Sequence, residues 1–343
     1  MATSASSRRR FLSLLGLSAV AVSCGTTANG AASGRTRTLR YQGWAGQVTL
    51  PELAEDLGYL GGVKLKWIGN TISGPQDIQS AATGQVDFGG AFNGAVVKLA
   101  GNGAPVKAVI SYYGSDKDAY NGFYVLKDSP IRSARDLIGK KVGMNTLGAH
   151  SEAMLDIYLQ RGGLSRAEIG EVEPLVVPPV DTEQTLRQKQ TDVAVLGGIL
   201  RDKALAAGGV RALFTDYQLL GAFSAGTYVM TDRFLKQNPD TARVFVTGVG
   251  KAIEWARSTP HEQVVARMTD IVRKRGRNED TSALKYWRSF GVAETAGRIT
   301  DKELQLWIDW LTERGDVKKG QVKVADLYTN EYNAAPSAST SGS

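Results

Sequence analysis

From Leu39 onward the apolar positions change spacing in a regular order. LRYQG predicts a short strand, WAGQVT a polar loop, and PELAEDLGYLGG a helix opening near Pro51 with Leu53, Leu57 and Leu60 on one face. Thr49 and Glu52 have the capping-box spacing, in which a hydroxyl and a carboxylate satisfy each other's free backbone N–H groups. VKLKWIGN then alternates as a strand, Ser73 and Gln76 repeat the capping-box spacing ahead of a second helix, and VDFGGAF closes the unit as a buried strand. The same order returns from Lys141: strand KVGMN, loop TLGAHS, helix EAMLDIYLQRGG, strand EPLVVPP, a helix opened by Asp181, Thr182, Glu183 and Gln184, and strand DVAVLGG. The separations Tyr41 to Asp87 and Gly143 to Asp192 are nearly equal, which marks an internal repeat.

A strand-helix-strand-helix-strand unit that occurs twice predicts two α/β lobes, each with a mostly parallel sheet flanked by helices. In open sheets of this kind ligands gather beyond the strand C-termini, where helix N-termini present unpaired N–H groups with partial positive charge. The helix starts at Thr49, Ser73, residues 146–151 and Asp181 qualify, and sets from two lobes would face each other across a cleft.

Charge and composition change this picture mainly at the ends. Arg8, Arg9 and Arg10 precede an apolar run, residues 11–22, that is too short to span a bilayer. The order Ser7-Arg8-Arg9-Arg10-Phe11-Leu12 fits a twin-arginine export signal, and Ala21-Val22-Ser23-Cys24-Gly25 resembles a lipobox with Cys24 as the lipidated first residue, the alternative being a plain signal cut near Ala32 with an incidental cysteine. Residues 24–37 are small and polar, as a flexible tether should be, and residues 334–343 form a low-complexity tail expected to be disordered. What remains is about 310 residues, enough for two lobes with their own cores. Cys24 is the only cysteine, so no intramolecular disulfide forms and packing holds the fold. The formal charge of +7 is shared by the leader arginines, Gly139-Lys140-Lys141 and RKRGR at 273–277, which reads as a mildly cationic surface. Export removes nucleic acid as a partner.

TLPELAEDLGYL, SGPQDIQSAATGQVDFG, LAGNGAPVKAVISY, DSPIRSARDLIGKKVGMN and ITDKELQLWIDWLTERG resemble the solute-binding proteins of ABC importers for nitrate, sulfonate and taurine. The resemblance runs from about Leu39 to Tyr332. It implies the two-lobed α/β fold of the type II periplasmic binding proteins, with a mixed sheet flanked by helices in each lobe and a ligand cleft between them. It also implies an ABC permease with a cytoplasmic ATPase as partner, no cofactor, and a monomer. On this expectation lobe one takes residues 38–123 and 227–333 and lobe two residues 124–226, with crossings near Asn121 to Leu126 and within 223–230. The C-terminal helices return to lobe one.

Residues just after strands or at helix starts are the candidates for ligand contact: Gln42, Trp44, Gln47, Ser73, Phe92, Asn93, Tyr112, Asn121, Asn145, Thr146, His150, Ser151 and Asp181. Hydroxyls, amides and backbone N–H groups suit an oxyanion, and His150 adds an imidazole donor. Thr49, Ser73 and Ser151 have an alternative as plain helix caps. Aromatic residues near strand ends, Trp44, Phe92, Tyr112, Tyr113, Phe123 and Tyr124, point to a ligand with an organic body, although half or more of them should pack the core. Trp44 is the strongest of these, because it stands among small and polar residues, and Phe92 is second. His261 is read as a surface residue without a role.

The inventory disfavours an enzyme. Two separated histidines and one cysteine make no His/Cys metal cluster, and GAFSAG, GNGAPV and FVTGVGKA each miss the nucleophile-elbow, dinucleotide or P-loop pattern. The expected function is extracytoplasmic capture of a small organic anion, of sulfonate or aromatic carboxylate type. Nitrate, a pyrimidine precursor of thiamine, or a sensor that presents its ligand to a receptor are the alternatives on the same fold.

Overall fold

The computed structural model describes residues 36–335. Arg8, Arg9, Cys24, most of the tether and the tail from residue 336 lie outside them. Among the described residues ten strands run β1 (Thr38–Gly43), β2 (Lys64–Asn70), β3 (Gly89–Phe92), β4 (Val106–Ser115), β5 (Asn121–Leu126), β6 (Lys141–Met144), β7 (Glu173–Val176), β8 (Val193–Gly197), β9 (Val210–Thr215) and β10 (Phe223–Thr231). The helices are α1 (Leu50–Asp56), α2 (Gly74–Ala82), α3 (Asn93–Gly101), α4 (His150–Arg161), α5 (Arg166–Gly170), α6 (Thr182–Arg187), α7 (Gly198–Ala207), α8 (Asp216–Leu220), α9 (Asp232–Gln237), α10 (Pro239–Ser258), α11 (His261–Lys274), α12 (Asp301–Arg314) and α13 (Val324–Leu327). None of the helices among the described residues is long and apolar enough to cross a membrane.

The strands form three sheets: β1-β2, β3-β10-β4 and β7-β6-β8-β5-β9. The pairs β1/β2, β6/β7 and β6/β8 are parallel, as helical crossovers require. The expectation of mostly parallel sheets needs correction, because β10 is antiparallel to both β3 and β4, and β5 to both β8 and β9. These two strands follow the segments that carry the chain from one sheet to another, and each enters against the direction of the crossover-connected strands. The crossings fall just before them, in residues 116–120 and 221–222.

The repeat in the sequence has a physical counterpart. Asp87 accepts the Arg40 backbone N–H at 2.7 Å and returns its own N–H to the Arg40 carbonyl at 3.0 Å. In the second unit Asp192 does the same to Lys141, at 2.9 Å in both directions. In each case a carboxylate ahead of the unit's third strand satisfies a donor on its first strand.

Around the sheets the amphipathic helices bury their apolar stripes. Phe245, Val249 and Ile253, spaced by four along α10, pack with Leu39, Leu53, Phe88 and Tyr228. A second core joins Phe92 and Val96 to Phe123, Met144 and Leu155, with Trp307 and Leu311 of α12 in the same cluster. Because that cluster draws on both the three-stranded and the five-stranded sheets, α12 ties them together. Its Arg314 extends the tie by pairing with Glu152 and Asp156 of α4. Thr36 and Arg37, read as the end of the tether, are already held: Thr241 donates its hydroxyl to the Thr36 carbonyl at 2.7 Å and Lys64 its N–H to Arg37 at 2.7 Å. Ala335, read as tail, accepts from Arg298 at 2.9 Å.

Candidate ligand-binding site

A cavity of about 360 Å³ opens where the ends of β1, β3, β6 and β8 meet the starts of α1, α2, α4, α6 and α7. One side is built by Trp44 and Gln47 of the turn after β1, by Gly74 and Pro75 at the head of α2, and by Phe92, Tyr112, Tyr113 and Tyr228. The other is built by Asn121, Asn145, Thr146, His150, Ser151, Thr182, Gly197 and Gly198. Trp287, Ser289 and Phe290, from the loop after α11, complete the wall.

The aromatic side is preformed. Tyr112 stacks on Tyr228 with ring centres 4.2 Å apart, and Tyr113 meets Tyr112 edge-on at 4.9 Å. Gly90 lets this stack approach the strand, since a Cβ there would stand 2.8 Å from Tyr228 Cε1 and 2.9 Å from Tyr112 Cε1. Burial pushes the phenols of Tyr112 and Tyr228 well above their ordinary range, so both remain neutral donors. Beneath them Asp77 of α2 is 4 % exposed and accepts the Gly90 N–H on Oδ2 at 2.7 Å, while its Oδ1 has no hydrogen-bond partner. Burial pushes this carboxyl up to about 7, against the lowering effect of the Gly90 bond.

On the polar side His150 opens α4 and stacks on Phe92 at 5.5 Å. Its Nε2 lies 3.1 Å from Oδ2 of Asp216, off the line that a hydrogen bond needs. Asp216 is completely buried and accepts from Ser115 Oγ at 2.8 Å, the Asn121 N–H at 3.1 Å and Asn121 Nδ2 at 3.3 Å. The last bond fixes the orientation of the Asn121 amide, whose nitrogen is also 3.5 Å from His150 Nδ1. Gly197, the register partner of Asn121, makes room for this amide: a Cβ there would stand 1.7 Å from Asn121 Oδ1.

Among the expected contact residues, the wall gathers Trp44, Gln47, Phe92, Tyr112, Asn121, Asn145, Thr146, His150 and Ser151. Gln42, Ser73, Asn93 and Asp181 stand outside it. Gln42 lies within β1 with its Oε1 buried and unpartnered. Asn93 is fully buried and donates to the Ser224 carbonyl at 3.3 Å. Asp181 is exposed and makes no side-chain cap for α6. The capping box expected at Ser73 is absent: its side chain makes no cap bond, and Thr71 Oγ1 instead donates to the Ser73 carbonyl at 2.9 Å. The box at Thr49 is complete, with Glu52 accepting the Thr49 N–H at 2.9 Å. Of the aromatic candidates, Phe123 and Tyr124 are core, Phe123 stacking on Phe214 at 4.1 Å.

Sequence reasoning passed over Tyr120, Tyr228 and the 287–290 segment. YWRSF carries three aromatics in a loop, the same signal that singled out Trp44. His261 also has a place: its Nε2 is 2.6 Å from the Trp287 carbonyl and its ring lies parallel to that indole, so it backs the cavity wall. Arg275 and Arg277, read as surface charge, have side chains only 8 % and 13 % exposed. None of the residues lining the cavity is a lysine, arginine, aspartate or glutamate, so its donors are neutral groups, backbone N–H and His150. Among the described residues no group of three His, Cys, Asp or Glu is placed to hold a metal ion.

The sequence profile of the NMT1/THI5-like family matches residues 53–263. A Brucella abortus protein named as a binding protein is 23 % identical over 248 residues, 70 % of this chain and 72 % of that protein. The periplasmic aliphatic sulphonate binding protein SsuA of Escherichia coli superposes with a TM-score of 0.65 at 19 % identity, over 86 % of this chain and 92 % of its own. The periplasmic nitrate-binding protein NrtA of Synechocystis gives a TM-score of 0.67 at 14 % identity, over 87 % of each. A desulfurization enzyme also shares the fold. The architecture is that of the periplasmic binding proteins, with sheets flanked by helices.

Proposed function

The chain belongs to the NMT1/THI5-like family, and on that premise we propose that it is the extracytoplasmic substrate-binding protein of an ABC importer, which captures a small organic anion with an aromatic body. An aromatic carboxylate is the preferred ligand and an aryl sulfonate the nearest variant. The observation that carries this reading is the composition of the cavity wall: stacked tyrosines, Trp44, Phe92 and Trp287 on one side, neutral donors on the other, and no cationic side chain among the lining residues. A compact inorganic anion would leave the aromatic wall unmatched, whereas a planar organic body covers it and turns its charged end to the N–H groups at the head of α4.

The chemistry is binding alone. Residues 1–23 act as the export signal, Cys24 carries the lipid that holds the protein at the outer side of the cell membrane, and the permease receives the ligand from a monomer. A thermal-shift screen of the purified protein against benzoate, benzenesulfonate, ethanesulfonate and nitrate tests the ligand class. A ligand at 100 times its dissociation constant adds about 2.7 kcal/mol of stability. Stabilisation by benzoate or benzenesulfonate beyond that by nitrate is the expected result; stabilisation by nitrate alone overturns the proposal.

A further inference from the structure

Trp44 stands in a turn of residues 44–47, closed by a 3.3 Å bond from the Gln47 N–H to the Trp44 carbonyl. Nothing within so short a turn holds an indole in one place, so the question is what fixes its backbone. Two side chains more than 220 residues later in the chain do so. Glu279 Oε1 accepts the Gly46 N–H at 2.9 Å, and Arg275 Nη1 donates to the Gln47 carbonyl at 2.9 Å. The pair is joined by a 2.5 Å bond from Arg275 Nε to Glu279 Oε2, and both side chains are 8 % exposed. Arg275 Nη1 also reaches both oxygens of Glu52, at 3.0 and 3.2 Å, and Glu52 in turn caps α1, whose first residue follows Thr49.

The geometry requires an arginine. Its planar guanidinium serves the Gln47 carbonyl, Glu52 and Glu279 from fixed directions, which a lysine ammonium on a flexible stem does not reproduce. Gly276 and Asn278 both lie in the left-handed region, at φ +62° and +54°, and the tight turn they make brings residues 275 and 279 to the same side. These contacts explain why Arg275 is buried where surface charge was expected, and Arg277 is buried beside it, donating to Tyr41 Oη at 3.0 Å and pairing with Glu52.

We infer that Arg275 and Glu279 are positioning residues that set the ligand preference of the cavity by holding the Trp44 turn. Neither lines the cavity, so they act through the indole. The inference rests on the proposed aromatic ligand for its binding consequence, but the placement of Trp44 can be read without any ligand.

The test uses the full chain labelled with 5-fluorotryptophan, whose six tryptophans give separate ¹⁹F resonances, the one from Trp44 being assigned by its loss in Trp44→Phe. Arg275→Met should shift or broaden that resonance and leave those of Trp307 and Trp310 in place. Affinities for benzoate and cyclohexanecarboxylate, equal in ring size and differing in aromaticity, supply the second readout. An aromatic contact of about 0.5–1.5 kcal/mol corresponds to roughly a twofold to tenfold preference for benzoate. Arg275→Met should lower it to the level left by Trp44→Leu, and the double variant should lose no more. Glu279→Ala, which frees the Gly46 N–H, gives the same pattern in milder form and serves if Arg275→Met does not fold. An unmoved Trp44 resonance, or one that shifts together with all the others, overturns the inference. If the wild type binds neither acid, the ligand proposal fails while the resonance still decides the positioning role.

Discussion

Asp216 is fully buried 3.1 Å from His150 Nε2, and through Asn121 it holds the amide that faces the other nitrogen of the same ring. One carboxylate thus fixes the Asn121 amide from behind and lies beside His150, both of them in the cavity wall. Asp216→Ala leaves the Ser115 hydroxyl and the Asn121 N–H without an acceptor, at about 1–3 kcal/mol for each orphaned donor. Urea unfolding should show a loss of about 2–6 kcal/mol. In variants still folded at low temperature, calorimetric affinity for the aromatic acid should fall by roughly tenfold or more, the equivalent of one charge-assisted contact. Wild-type affinity would remove His150 and Asn121 from the binding role.

The buried carboxyl of Asp77 ties stability to pH. In the unfolded chain it titrates at 3.8, and in the folded protein burial pushes it up to about 7. Between those values the folded protein holds a proton that the unfolded chain has released, so stability is full below about pH 4, falls as pH rises toward 7 and is flat above. The rise from 3.8 to about 7 bounds the loss at about 4 kcal/mol. Asp77→Asn removes the titration, and its melting temperature should gain on the wild type from about pH 4 to pH 7 and run parallel to it above. Parallel curves from about pH 4 to pH 7 as well would contradict the assignment.

Thr49 and Ser73 have the same sequence signature and different bonds, so their alanine variants should part. Thr49→Ala breaks a complete capping box and should cost about 1 kcal/mol. Ser73→Ala removes no cap bond and should stay within about 0.5 kcal/mol of the wild type. Denaturant midpoints at a common slope decide it.

Gly197→Ala would place a Cβ 1.7 Å from Asn121 Oδ1 and must displace that amide. The expected outcome is a stability loss of about 1–3 kcal/mol together with weakened ligand binding. The backbone at Gly197 is extended (φ −137°), so the effect comes from the contact and not from conformation. A crystal structure of the variant with Asn121 unmoved would refute this account.

For the proposed lipid anchor, Cys24→Ala should move the protein from the membrane fraction to the soluble extracytoplasmic fraction. Retention at the membrane in cells that lack the permease would rule the anchor out.

How much of this was legible without coordinates depends on the distance over which each signal acts. The strand and helix order, the box at Thr49 and the repeat with Asp87 and Asp192 are set by residues within one supersecondary unit, where periodicity and capping chemistry act locally. Ser73 shows the limit even there, because the neighbouring hydroxyl of Thr71 took the local bond. The pairing of His150 with Asp216, the service of Arg275 and Glu279 to the Trp44 turn, and the arrival of Trp287 and Phe290 at the cavity join residues 66 to more than 240 positions apart. No local preference encodes such neighbours. They are chosen when α4, α8 and α11 pack onto the rest of the fold, since burying apolar faces decides which charged and aromatic side chains are carried inside and therefore which must find partners there.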